Sequence, residues 1–230
     1  MKALVIPLKD PSNAKTRLSR LLSPQDRSRL AWAMFEDVTQ AASLTSQPDF
    51  VVLVSSYPPA IAHALSLGFE ALVESSQQSE SASVDWASAV LAERGVDTVM
   101  RLPADAPLVR PSDIDSLLAI EVGRRGALLV PSSDGTGTNA IIRTPPTLFP
   151  SRFGPDSLAL HKAEGLRVGV ECHIVANDRI AVDIDEPSDL RVLLTRAADT
   201  QTFRVACEIG VSELLAAGDL ESEGARTSSR

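Results

Sequence analysis

The chain is poor in the residues that several function classes require. It has 2 cysteines, Cys172 and Cys207, too few for a disulfide framework and in keeping with a reducing compartment. Aromatic residues make up 4%, which leaves little surface on which bases could stack. Positive charge is in deficit: 22 Lys and Arg stand against 30 Asp and Glu, for a net charge of −8. A nucleic-acid binder neutralises phosphates with a basic face, so neither DNA nor RNA is expected as a partner. No apolar run approaches the roughly 20 residues that span a bilayer. The first strand follows Met1 directly and is too short for the apolar core of a secretion signal. A cytoplasmic protein without membrane contact is therefore expected. No GxxxxGK[ST] segment is present, so a Walker-type phosphate loop is excluded.

What is present is a large apolar fraction, 44% of 230 residues, enough for a sizeable core. Strand and helix patterns alternate, which predicts a layered α/β fold. Strands are predicted at 2–7, 50–54, 70–73, 98–102, 128–131, 140–143, 168–172 and 180–184. Helices are predicted at 24–42, 59–67, 83–94, 111–120, 157–164, 187–195 and 211–217, with a polar loop over 74–82. Ser23 and Pro24 mark the first helix start as N-cap and first helical residue. With no internal repeat or linker, residues 1–217 read as one domain and 218–230 as a frayed polar tail.

The first strand runs straight into Leu8-Lys9-Asp10-Pro11-Ser12-Asn13-Ala14-Lys15-Thr16-Arg17-Leu18-Ser19-Arg20. Four cations here, in an acidic chain, point to a local anionic ligand. Small residues and a proline between Lys9 and Lys15 let the loop fold back and offer backbone N–H groups, the combination a triphosphate needs. A solvated basic loop is the plain alternative, and Arg20 and Arg27 read as surface or helix-face charges.

Asp105 stands in the turn Leu102-Pro103-Ala104-Asp105-Ala106-Pro107, just past the end of an apolar strand, where open α/β sheets bind ligands. A lone carboxylate beside phosphates commonly holds Mg²⁺, although a turn aspartate can instead bond its own backbone. In Val182-Asp183-Ile184-Asp185-Glu186-Pro187, Asp183 and Asp185 alternate with apolar residues. Both are expected on one strand face, where either could complete a metal site with Asp105 while Asp185 or Glu186 caps the next helix. Asp134-Gly135-Thr136-Gly137-Thr138-Asn139 suits close backbone approach to an anion. Gly154 followed by Ser157, read as an N-cap, marks a second anion site.

Taken together, Pro7-Leu8-Lys9, Lys15-Thr16-Arg17-Leu18, Ala104-Asp105-Ala106-Pro107, Gly135-Thr136-Gly137-Thr138-Asn139-Ala140 and Arg152-Phe153-Gly154-Pro155-Asp156-Ser157 resemble the guanylyltransferases of coenzyme F-420 biosynthesis. The resemblance spans residues 3–195. It implies a three-layer α/β/α nucleotidyltransferase fold, like that of nucleotide-diphospho-sugar transferases, on a mixed, mostly parallel sheet. It also implies transfer of GMP from GTP to phosphoenolpyruvate, 2-phospho-L-lactate or 3-phospho-D-glycerate, with Mg²⁺ held by Asp105 and Asp183 or Asp185. Pro7, Leu8, Lys9, Lys15 and Asp85 would contact the nucleotide, Lys15, Arg17 and Asp105 would be catalytic, and Thr138, Gly154 and Ser157 would hold the acid. A downstream deazaflavin transferase is an implied partner, and a homodimer is among the open assembly states. One departure stands out: the family's Gly-Leu-Asn-x-Ala stretch reads Ser83-Val84-Asp85-Trp86-Ala87, and an aspartate cannot donate as an amide does.

A phosphomonoester is already a charged nucleophile near neutral pH, so no catalytic base is required. His63, His161 and His173 lie in no catalytic-looking context. Positioning and charge neutralisation are the expected sources of rate. The competing readings are another nucleotidyltransferase of the same fold, for sugar phosphates or molybdopterin, and a non-catalytic nucleotide-binding domain.

Overall fold

In the computed structural model, residues 1–76, 78–196 and 199–217 are described. The predicted tail at 218–230 lies outside the described residues. Among the described residues seven strands form one sheet: β1 (Lys2–Pro7), β2 (Phe50–Ser55), β3 (Glu70–Val73), β4 (Thr98–Arg101), β5 (Gly126–Pro131), β6 (Thr138–Thr144) and β7 (His173–Ile174). Their order is β3-β2-β1-β4-β6-β5-β7. Only β6 runs against its neighbours, so the sheet is mixed but mostly parallel, as predicted.

The helices are α1 (Pro24–Ser43), α2 (Pro58–Ser66), α3 (Glu80–Glu93), α4 (Pro111–Leu118), α5 (Ser157–Arg167), α6 (Pro187–Arg196) and α7 (Gln201–Ile209). Residues 211–217 are also helical. Helix α1 starts as its sequence dictates: the Ser23 side chain accepts from the Asp26 N–H at 3.1 Å, with Pro24 at the first position. Its stripe Leu30, Met34, Phe35 and Val38 is fully buried.

The sheet is covered on both faces. Leu4 and Ile6 of β1 pack with Phe35, Val38, Ala60 and Ile114. Ala3 and Val5, on the opposite face, pack with Ala87 and Leu91 of α3. This alternation is why β1 is apolar at every central position. A separate cluster joins Leu18 and Leu22, beside the cationic loop, to Val182, Ile184, Leu190 and Leu193. Among the described residues no helix is long and apolar enough to cross a membrane.

Three predictions need correction. Residues 168–172 form no strand: Val168 and Gly169 close α5 in a turn, Gly169 has φ 74°, and the Val170 N–H returns to the Gly165 carbonyl at 2.9 Å. The strand there is only His173–Ile174, parallel to β5. Residues 180–184 form no strand either. That segment crosses the sheet's rim, anchored by buried Val182 and Ile184, with Ile184 N–H to the Asp105 carbonyl at 3.2 Å and Ser133 N–H to the Ala181 carbonyl at 2.9 Å. Helix α3 begins three residues before the predicted start at 83, because Ser79 accepts from the Ala82 N–H and caps it. Helix α7 was not predicted.

Candidate active site

Strands β1, β2 and β3 build outward in one direction, and β4 returns to the other side of β1. Such a reversal opens a crevice beyond the carboxyl ends of the strands. Pro7 ends β1 and Arg101 ends β4 on that rim, so the cationic loop and the Asp105 turn face each other across it.

The loop has a definite shape. Asp10 accepts from the Ser12 N–H at 2.9 Å and opens a 3₁₀ turn, Pro11–Asn13. Lys15 takes a left-handed conformation, φ 54°, before a second turn, Thr16–Leu18, pinned by fully buried Leu18. From α1, Arg27 donates to the carbonyls of Ala14 at 3.2 Å and Leu22 at 3.0 Å. Arg27 is thus a helix-face charge that braces the loop.

Lys15 does not point to solvent. Its side chain is 7% exposed, and its Nζ lies 2.7 Å from an oxygen of Asp105 and 2.7 Å from an oxygen of Asp185. Burial works against its charge, but the two carboxylates outweigh it and hold the ammonium above its ordinary pKa. Asp105 shows the mirror case: burial would raise its carboxyl, yet Lys15 and then Arg101 hold it below the usual range. Asp183 has no such cation. Burial, and then the charge of Asp105, push it up, although Asn139 donates to it at 3.0 Å.

Two clefts open from this joint. The first, about 430 Å³, is lined by Pro7, Leu8, Lys9, Ala14, Ala31 and Met34. The second, about 740 Å³, is lined by Thr138, Gly154, Ser157, Arg17 and Asp183 among others. Both share Asp105, Asp185, Arg101 and Glu80 as a common wall.

The second cleft is held together by hydrogen bonds. Asp134 accepts from the Ser132 hydroxyl at 2.5 Å and from the Thr136 N–H and hydroxyl at 3.0 and 2.8 Å. These bonds depress its carboxyl to about 2, so the Gly/Thr loop is braced from within. Gly154 sits at φ 125°, open to glycine and strained for other residues. Ser157 is not the N-cap. Asp156, at φ 55°, takes that position, and Ser157 is the first helical residue. Its hydroxyl turns back to accept from the Thr138 N–H at 2.8 Å.

The remaining predicted residues divide. Asp183 and Asp185 both reach the second cleft, but from an irregular segment, so the strand-face argument for them does not hold. Neither Asp185 nor Glu186 is the helix-capping side chain; Asp189 accepts from the backbone N–H groups of both, at 3.0 and 2.7 Å. Arg17 pairs with Glu186 at 3.3 Å, both well exposed. Asp85 lines neither cleft. It accepts from the Ser151 N–H and hydroxyl and from Arg143, whose side chain is 1% exposed.

Among the described residues, no group of three His, Cys, Asp or Glu side chains is placed to hold a metal ion. Asp105 and Asp185 instead both bond the Lys15 ammonium. The donor set nevertheless suits a hard divalent cation: two carboxylates share the Lys15 ammonium, and Asp183, whose carboxyl is raised by burial and by the charges of Asp105 and Asp185, adds a third beside them.

Arg101 is the residue the sequence reading missed. It is 6% exposed, donates to the Asn139 carbonyl at 2.6 Å, pairs with Glu80, and stacks 4.3 Å from the Phe153 ring centroid. The signal was there: a cation inside the apolar run Val99-Met100-Arg101-Leu102 is costly unless partnered.

Comparison with known proteins fits this geometry. A putative nucleotide-diphospho-sugar transferase from Desulfovibrio desulfuricans G20 superposes with a TM-score of 0.75 at 16% identity, covering 94% of this chain and 96% of that one. A phosphoenolpyruvate guanylyltransferase from Rubrobacter xylanophilus is 33% identical over 189 residues, 81% of this chain and 90% of its own length. A 2-phospho-L-lactate guanylyltransferase from Methanothermobacter thermautotrophicus is 29% identical over 196 residues, 85% of each chain. The family model described as "Guanylyl transferase CofC like" matches residues 1–219, and the chain belongs to that family of guanylyltransferases.

Proposed function

We propose that this protein transfers GMP from GTP to a phosphorylated three-carbon acid, with release of pyrophosphate, and that phosphoenolpyruvate is the first acid to test. The observation that carries the reading is the shared wall: Asp105, Asp185 and Arg101, the first two bonded to Lys15, border both a partly apolar cleft and a hydroxyl-lined one. A group transfer needs two ligands meeting at one set of charges.

In this reading the nucleotide lies over Pro7, Leu8 and Met34, with Lys9 and Lys15 facing its phosphates. The acid lies against Thr138, Gly154 and Ser157. Arg17 borders the acid cleft and Arg101 borders both, where they offset the repulsion between two anionic substrates. Asp105, Asp183 and Asp185 would hold Mg²⁺, which when bound supplies Lewis-acid charge to the phosphoryl group. No proton need be removed from the attacking phosphate, and the joint contains no histidine. The test is mass spectrometry of products from GTP, Mg²⁺ and each of phosphoenolpyruvate, 2-phospho-L-lactate and 3-phospho-D-glycerate. A guanylylated acid with stoichiometric pyrophosphate supports the reading; pyrophosphate release with none of the three overturns it. The guanylylated product would be the substrate of a deazaflavin transferase.

A further inference from the structure

Behind the acid cleft lies a histidine that the sequence reading left without a role. His161, one turn into α5, is fully buried, with the rings of Phe149 and Phe153 at 6.5 and 5.0 Å between centroids. The backbone N–H of Arg152 donates to its Nε2 at 2.8 Å. A backbone N–H can only donate, so Nε2 carries no proton and the ring hydrogen resides on Nδ1. Nδ1 lies 3.0 Å from the Thr138 hydroxyl oxygen. That oxygen therefore accepts, and its own proton is left for a third partner. Ser157 is in the same condition, since its oxygen accepts from the Thr138 N–H. Among the described residues neither hydroxyl has an acceptor for its proton, and both line the acid cleft.

We infer that His161 is a positioning residue, which fixes the Thr138 hydroxyl as a hydrogen-bond donor to an anionic oxygen of the phosphorylated acid. An unfixed threonine hydroxyl rotates between donor and acceptor roles. Here the Nδ1–H fills one lone pair and leaves the donor role facing the cleft, where an anion accepts it. Burial, and then the nearby charges of Arg143 and Arg101, lower the ring's pKa to about 4, against the opposing pull of Asp85 and the Ser157 carbonyl. The ring is therefore neutral, in one tautomer, throughout the neutral pH range.

The inference rests on Thr138 being an acid contact, so the experiment separates the two. Steady-state KM values for phosphoenolpyruvate and GTP, with Mg²⁺, are measured for wild type, Thr138→Val, His161→Asn and His161→Gln. An asparagine amide can replace the Nδ1 donor, whereas a glutamine can replace only the Nε2 acceptor. Thr138→Val and His161→Gln are expected to raise the phosphoenolpyruvate KM about tenfold, the usual worth of one hydrogen bond to a charged group. The GTP KM stays constant, and His161→Asn recovers most of the loss. Imidazole ¹⁵N shifts of the wild-type protein should show a neutral ring protonated at Nδ1. A normal acid KM in Thr138→Val overturns the placement of the acid. A raised KM in Thr138→Val with a normal one in His161→Gln, equal losses in Asn and Gln variants for both substrates, or a proton on Nε2 overturns the role of His161.

Discussion

The two clefts differ in how their walls are made. The cleft proposed for the nucleotide rests on Pro7, Leu8, Ala31 and Met34, apolar groups that supply area without direction. The cleft proposed for the acid is framed by hydroxyls, a braced Gly/Thr loop and a glycine at φ 125°. An apolar surface separates ligands that differ by one methylene by only about 1–3 kcal/mol, whereas a pre-bonded polar site rejects analogues that leave its groups unpaired. In the proposed arrangement, acid choice belongs to the second cleft and the charged joint between them serves both.

The largest effect is expected at that joint. Lys15→Ala or Asp105→Asn should lower turnover by on the order of 10²–10³, as loss of one electrostatic donor commonly does, with the fold preserved by circular dichroism. Pyrophosphate release reads this directly. If either variant kept wild-type turnover, the joint would not be shared chemistry and the comparison would lose its centre.

Asp85 sharpens the boundary between site and scaffold. Its carboxylate compensates Arg143, which is essentially inaccessible, and holds the Ser151 backbone. Asp85 is itself 34% exposed, but its loss leaves the buried Arg143 charge without its carboxylate, at a cost of up to about 3 kcal/mol, so Asp85→Ala should lower the denaturant midpoint. The GTP KM of the folded variant should stay unchanged. A raised GTP KM with unaltered stability would return Asp85 to the nucleotide.

Within the acid cleft the effect is smaller and selective. Ser157→Ala removes a hydroxyl that both accepts from the Thr138 N–H and faces the cleft. It should raise the acid KM by about five- to tenfold and leave the GTP KM alone. Equal changes in both constants would show that the two clefts are not independent.

Much of this organisation was legible in the chain because its cues are local. The Ser23-Pro24 start of α1, the buried run of β1 and the Asp105 turn all follow from short-range rules. The joint was only half legible. Lys15, Asp105 and Asp185 were each visible as charged residues in loops that follow apolar runs, but that Lys15 lies between the two carboxylates depends on contacts 90 and 170 residues apart. The segment at 180–184 misled because alternation of Asp with Val and Ile is the pattern of a half-buried strand. Here the apolar residues anchor an irregular crossing instead. His161 was unreadable for a related reason: its meaning comes from Arg152 and Thr138, and no spacing within α5 shows either. Helix α7 was readable, since Thr200 followed by Phe203, Val205 and Ala206 carries both a cap and helical spacing.

The smallest effect concerns stability against pH and isolates the acid cleft's support. His161 has a folded pKa of about 4 against an unfolded value of 6.5. Between those values the unfolded chain binds the proton and the folded chain does not, so unfolding is favoured as pH falls. The stabilisation is complete above pH 6.5, erodes as pH drops toward 4, and does not change further below it. Between pH 6.5 and 5.5 the loss from this one group is about 1 kcal/mol. Raised carboxyls such as Asp183 and Asp37 act in the opposite sense at lower pH, so the contribution is read as a difference. Urea midpoints of wild type and His161→Asn, compared across this interval, should converge as pH falls, because the asparagine does not titrate. Parallel curves would mean that the ring takes up its proton in the folded protein as readily as in the unfolded chain, and that the N–H of Arg152 does not hold Nε2 bare.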